Sequence, residues 1–225
     1  GLGAATIQAN WEGMVNATTT RYSKSAGCIT ATDNVFATFQ TLGLSPVRQS
    51  HTSGHAPNVI GTITGHTHPE QVVIVIGHID DVPSSGVAPG ADDNASGAAT
   101  VVSAAQAMAP YTFEKTIKLI AVTGEEQGLY GSEYYASQAA VAGEQIIAVL
   151  DADMTGWQGD GLPAAGENLD VNTNSASAWL GTLLSEAATA YGTGCVINSF
   201  PCASMVYSDH APFWDHGWSA ICAIT

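Results

Sequence analysis

From Asn58 to its last residue the chain alternates short apolar runs with longer Ala-rich stretches, a rhythm that few folds accommodate. Strand-like runs fall at 58–64, 72–76, 116–122, 146–150 and 219–224, and helix-like stretches at 33–42, 95–109, 131–140 and 176–190. The run at 72–76 is apolar on both faces, as a central strand must be, and Pro110 closes the helix before it. Strands alternating with helices at this spacing predict an α/β fold, a three-layer α/β/α sandwich around a mixed, mostly parallel sheet.

With 225 residues, 45% hydrophobic and 11% charged, the chain suits one catalytic domain spanning 1–225 with a sizeable core. Five Lys and Arg against twenty Asp and Glu give a net charge of −15, which disfavours nucleic acid and anionic membrane surfaces. No apolar run approaches the roughly 20 residues that cross a bilayer. The start lacks a basic segment followed by an apolar one, so the chain reads as already processed. Scarce Lys, many small residues and a sequon at Asn16-Ala17-Thr18 point to a secreted monomer. The second sequon, Asn94-Ala95-Ser96, falls among candidate site residues and is expected to be unused.

The four cysteines lack CxxC spacing, which argues against a zinc knuckle. Cys195 and Cys202 flank Ser199-Phe200-Pro201, read as a turn, and are the candidate disulfide, with buried thiols as the alternative. Cys28 has no assigned partner, and Cys222 lies in an apolar run as a small core residue.

Four polar segments punctuate this pattern, each behind an apolar run: Gly77-His78-Ile79-Asp80-Asp81, Gly90-Ala91-Asp92-Asp93-Asn94, Gly124-Glu125-Glu126 and Leu150-Asp151-Ala152-Asp153. Imidazole and carboxylates at the carboxyl ends of parallel strands converge on one crevice, where they can hold metal. His78 and Asp80, two residues apart on extended backbone, point the same way, so Asp80 can orient the ring. Asp92-Asp93-Asn94 exceeds what capping of the next helix requires, and a carboxylate there can bridge two cations. Glu125 and Glu126 can split the roles of proton carrier and ligand. A strand-end surface charge explains any one segment, but four in order point to a metal site.

These strings, with Gln127-Gly128-Leu129-Tyr130-Gly131-Ser132 after Glu126, Met154-Thr155 after Asp153, and Tyr207-Ser208-Asp209-His210-Ala211-Pro212-Phe213-Trp214, resemble the secreted two-zinc aminopeptidases of bacterial and fungal leucyl aminopeptidase type. The resemblance runs from about Asn58 to the end. It implies two zinc ions: His78 and Asp153 on one, Glu126 on the other, and Asp93 bridging, with Asp92 as the alternative bridge. Glu125 would be the general base and Asp80 the partner of His78. Substrates would be peptides with a free N-terminus, with side-chain preference set near Met205, Tyr207 or Trp214.

The resemblance also implies a second metal-binding His in a later segment of the type His-Thr-x-x-Asp-Thr, beyond the run at 219–224; the given sequence stops at Thr225. The second ion is therefore expected to rest on Asp93 and Glu126 alone and to bind weakly. His210 and His216 are the downstream alternatives, with His66 and His68 expected at the opposite end of their strand. Two further readings stand beside the aminopeptidase: a weakly active or non-catalytic protein on the same fold, and a single-zinc enzyme of glutaminyl cyclase type.

Overall fold

The computed structural model describes residues 2–83, 86–157 and 168–225. In chain order the elements are α1 (Ala4–Val15), α2 (Ala26–Thr41), β1 (Val47–Gln49), β2 (Asn58–Ile63), β3 (His68–His78), α3 (Ala95–Met108), β4 (Lys115–Val122), α4 (Tyr130–Ala142), β5 (Gln145–Ala152), β6 (Asn168–Thr173), α5 (Ala178–Ala190), β7 (Val196–Pro201), α6 (Ala211–Asp215) and β8 (Ala220–Ile224). The eight strands form one sheet in the order β1-β2-β4-β3-β5-β8-β6-β7. It is parallel through β4-β3-β5-β8 and again at β6-β7, and antiparallel at β1-β2, β2-β4 and β8-β6. The expected layered α/β architecture is the one observed.

Alternation along β3 builds both cores. Val73 and Val75 face the helices α1, α2 and α3 with Leu119 and Ala121, while Val72, Ile74 and Ile76 face Tyr135 and Ala136 of α4 and Phe213 of α6. A third cluster joins Leu180 of α5 to Ala148, Val171 and Ile221 at the far edge.

Several expectations need correction. The helix expected at 33–42 begins at Ala26, because the Ser25 hydroxyl accepts the Cys28 amide and caps it. Asp92-Asp93-Asn94 follows no strand of its own; it lies in the long β3–α3 connection and leads directly into α3. Residues 199–201, read as a turn, belong to β7. An extended strand rises about 3.3 Å per residue, so its ends lie far beyond the roughly 7 Å Cα separation a disulfide tolerates. Cys202 is accordingly a thiol, 3.5 Å from the Ser204 hydroxyl, and the Cys195–Cys202 bridge does not form. His68 starts β3, at the end opposite His78, as expected. No helix among the described residues is long and apolar enough to cross a membrane.

Candidate metal centre

The strand order reverses around β3: the chain crosses from β3 through α3 to β4 on one side, then back from β4 through α4 to β5 on the other. Such a switch point opens a crevice at the carboxyl ends of the strands. His78 ends β3, Glu125 and Glu126 follow β4, and Asp153 follows β5. Asp93 reaches the crevice from the loop before α3. That helix is pinned there by Asn94, whose Oδ1 accepts the Gly97 amide at 2.7 Å while its Nδ2 donates to the Ala152 carbonyl at 2.9 Å. Asn94 is fully buried by these contacts, whereas Asn16 is exposed at the end of α1.

The resulting geometry brings five of the six predicted side chains together. His78 Nε2 lies 3.3 Å from Asp93 Oδ1, 3.4 Å from Asp153 Oδ1 and 3.8 Å from Glu125 Oε2. Glu126 joins Asp93, Glu125 and Asp153 in lining a cavity of about 270 Å³, whose other wall includes Met154, Met205, Tyr207, Ser208, His210 and Cys222. Trp214 is not part of that wall; its indole donates to the Ala220 carbonyl and its ring packs on His210.

The sixth, Asp80, behaves differently from expectation. Its Oδ1 is 3.8 Å from His78 Nδ1, too far for a hydrogen bond, and the ring instead meets the Asp80 backbone carbonyl at 3.1 Å. The Asp80 carboxylate accepts the amides of Glu125 and Glu126, each at 3.3 Å, and so holds the loop that carries them. Asp92, the alternative bridge, turns away: its Oδ1 accepts the Gly156 amide at 2.9 Å.

Donor bookkeeping decides what this arrangement accepts. A carbonyl only accepts, so the neutral His78 ring commits its Nδ1–H to Asp80 and presents a bare Nε2. His78 Nε2 and Asp153 Oδ1 are buried and lack any hydrogen-bond partner. A nitrogen lone pair and carboxylate oxygens facing one another at 3.3–3.8 Å suit a cation, and one atom each of His78, Glu125 and Asp153 lie within 4.8 Å of one another.

Without that cation the carboxyls are strongly perturbed. Burial, with Asp153, Asp80 and Glu126 nearby, pushes Glu125 up to about 8. Burial and Asp93 push Glu126 up to about 7. Burial favours a neutral His78, but Asp153 and Asp93 outweigh it and hold the ring's pKa well above the ordinary value. Paired carboxylates raised towards neutrality in a cleft are a mark of functional sites.

Behind this centre lies a buried set whose contacts the sequence does not reveal. Asp151 Oδ2 accepts the Ser208 hydroxyl at 2.8 Å and the His210 amide at 3.1 Å, and Asp209 is buried with both oxygens unpartnered. The segment 207–214 carries part of the family resemblance and His210 stands among the alternative ligands, but neither that resemblance nor the Asp151-x-Asp153 spacing shows that Ser208 and His210 meet Asp151.

The Peptidase family M28 profile matches residues 58–224. A probable leucine aminopeptidase of Arthroderma otae is 30% identical over 164 residues, 69% of this chain and 43% of that protein. A probable zinc metalloprotease of Leptosphaeria maculans is 38% identical over 104 residues, 44% of this chain and 24% of that protein. The chain thus spans less than half the length of these curated relatives. Among solved structures, the LapA aminopeptidase of Legionella pneumophila superposes with a TM-score of 0.84 at 21% identity, covering 99% of this chain and 61% of that one. BSAP, a zinc aminopeptidase from Bacillus subtilis, gives 0.81 at 16% identity, covering 100% and 85%. An Acidobacteriales glutaminyl cyclase gives 0.73 at 21%, covering 100% and 81%; at such identities these likenesses speak for the fold alone. The profile match over most of the chain, joined to peptidase relatives among the curated proteins, places this chain in peptidase family M28, a family of zinc aminopeptidase type.

Proposed function

We propose that the chain is a zinc-dependent aminopeptidase that hydrolyses the N-terminal peptide bond of peptides. The observation that carries this reading is the buried, unpartnered Nε2 of His78 set between the carboxylates of Asp93 and Asp153, with Glu125 alongside in an open cavity. His78, Asp93 and Asp153 would hold one zinc ion, and Asp93 with Glu126 would contribute carboxylates to a second. Zinc, when bound, supplies a Lewis acid that polarises the scissile carbonyl and makes water acidic near neutral pH.

The protein groups do the rest. Glu125 takes a proton from the attacking water as oxygen bonds to the carbonyl carbon, then delivers it to the amine nitrogen as the C–N bond breaks. The amides anchored on Asp80 keep Glu125 facing the cavity. The carboxylates beside the cavity favour a protonated substrate amine, while Met205 and Tyr207 border the space open to its side chain. Export and a monomeric state belong to the same proposal, supported by the acidic, Lys-poor composition.

Hydrolysis of leucine and alanine arylamides with and without added zinc tests it. The expected result is zinc-dependent turnover that Glu125→Ala reduces by about 10²–10⁴-fold. No turnover at any zinc concentration contradicts it, and cyclisation of an N-terminal glutaminyl peptide without arylamide hydrolysis selects the cyclase reading.

A further inference from the structure

We propose that Asp151, His210 and Cys222 form a separate site for a thiophilic divalent cation, in the wall of the cavity onto which the His78 centre opens. Backbone pairing creates the juxtaposition: Asp151 of β5 and Cys222 of β8 are direct cross-strand partners in the parallel ladder. His210, just before α6, completes the group, and one ligand atom each of the three lie within 4.8 Å of one another.

Hydrogen bonding leaves these atoms ready for a cation by the same bookkeeping that applies to His78. His210 Nε2 sits 2.8 Å from the Met205 carbonyl, which can only accept, so the neutral ring commits its proton there. The bare Nδ1 then faces Asp151 Oδ2 at 3.3 Å. Two ligands at bond lengths of about 2.0–2.1 Å and a tetrahedral angle stand about 3.3 Å apart, so this edge already has the length a zinc-like ion requires. The Ser208 hydroxyl and the His210 amide both donate to Oδ2, while Asp151 Oδ1 is buried and has no partner. Trp214 packs edge-on against His210 at 4.5 Å and fixes the ring plane.

The donor set selects the ion. One thiolate, one imidazole and one carboxylate favour zinc-group metals over magnesium or calcium, which prefer all-oxygen sites. His210 and Cys222 both line the cavity, so an ion can reach them from solvent. Binding releases the Cys222 thiol proton and forms a metal–sulfur bond, with no change of oxidation state.

The test is titration of the full chain with Cd²⁺, read by the ultraviolet sulfur-to-cadmium charge-transfer band. Because His78, Asp93, Glu126 and Asp153 offer no sulfur, the His78 centre is silent in this readout, and either proposal can fail without the other. The expected result is a saturable band that survives Cys202→Ser and disappears in Cys222→Ser. Asp151→Asn, which retains an acceptor for Ser208 and the His210 amide, should keep the band but weaken Cd²⁺ binding by at least about tenfold. Absence of the band, its persistence in Cys222→Ser, or unchanged affinity in Asp151→Asn overturns the proposal.

Discussion

Asp80 is tied to Glu125 rather than to the His78 ring: its Oδ1 accepts the Glu125 amide at 3.3 Å but stands 3.8 Å from His78 Nδ1. Its role is therefore to position the loop of the two glutamates. Asp80→Asn replaces one acceptor by a donor that faces a backbone N–H. Arylamide turnover should fall by about 10–100-fold while the first zinc ion is retained. Loss of zinc together with activity would instead show that Asp80 acts through His78.

The metal-free protein should lose stability as pH rises. Burial raises Glu125 to about 8 and Glu126 to about 7, against unfolded values near 4.3. A raised carboxyl favours the fold while protonated; that contribution is complete below about pH 4 and is lost as pH climbs through the folded values. His78, raised because Asp153 and Asp93 outweigh burial, has the same sign, complete below about pH 6.5. Asp153 is lowered, since its contacts with His78 overcome burial, but its opposite contribution falls below about pH 4. Burial lowers His51 and His55, whose opposite contribution ends near pH 6.5, so thermal denaturation of chelator-treated protein should show Tm falling between about pH 6.5 and 9, with zinc restoring more at the alkaline end. A metal-free Tm that rises over this range contradicts the charge arrangement.

Asp209, beside Asp151 behind the His78 centre, carries the same sign. It is fully buried, neither oxygen has a partner, and burial and Asp151 push its carboxyl well above the usual range. Asp209→Asn keeps the shape and removes the ionisation. The variant should match the parent in Tm near pH 4 and exceed it at pH 8. Equal Tm differences at both pH values would show that the carboxyl does not ionise in the fold.

Close packing at Gly97 sets the position of Asp93 relative to Asp153. A Cβ at Gly97 would run into the Ala152 carbonyl and stand 2.5 Å from the Asn94 side chain. Both neighbours are committed, because Asn94 Nδ2 donates to that carbonyl. Gly97→Ala should cost about 1–3 kcal/mol in chemical denaturation and weaken zinc binding. Parent-like stability would mean that α3 can shift without consequence.

What the sequence disclosed follows the range of the interactions involved. The core strands β2 to β5 and β8 are legible because their apolar runs are buried on both faces. Helix α3 is legible because Asn94 caps it and Pro110 follows it. Strand β7 is almost wholly exposed and carries Asn198, Ser199 and Pro201, so its extended form comes from pairing with β6 rather than from its own pattern. Helix α1 buries only Met14 and is held by packing on α3. The same distinction holds at the site. His78, Glu125, Glu126 and Asp153 can be found as polar residues at strand ends. The Asp151–Ser208–His210 contacts depend on β5 lying beside β8, a pairing no local pattern reveals. The spacing of Asp80 from His78 suggests a carboxylate that orients the ring, but spacing cannot show that the Glu125 amide claims that carboxylate.

The proposed role of His78 and its carboxylates as zinc ligands is tested most directly by a zinc titration followed by leucine arylamide turnover. In the parent chain, turnover should rise with added zinc and saturate. In His78→Ala it should stay at background throughout the same range, with the far-ultraviolet circular dichroism unchanged. Zinc-saturable turnover of parent size in His78→Ala, or none in the parent at any zinc concentration, would contradict that role.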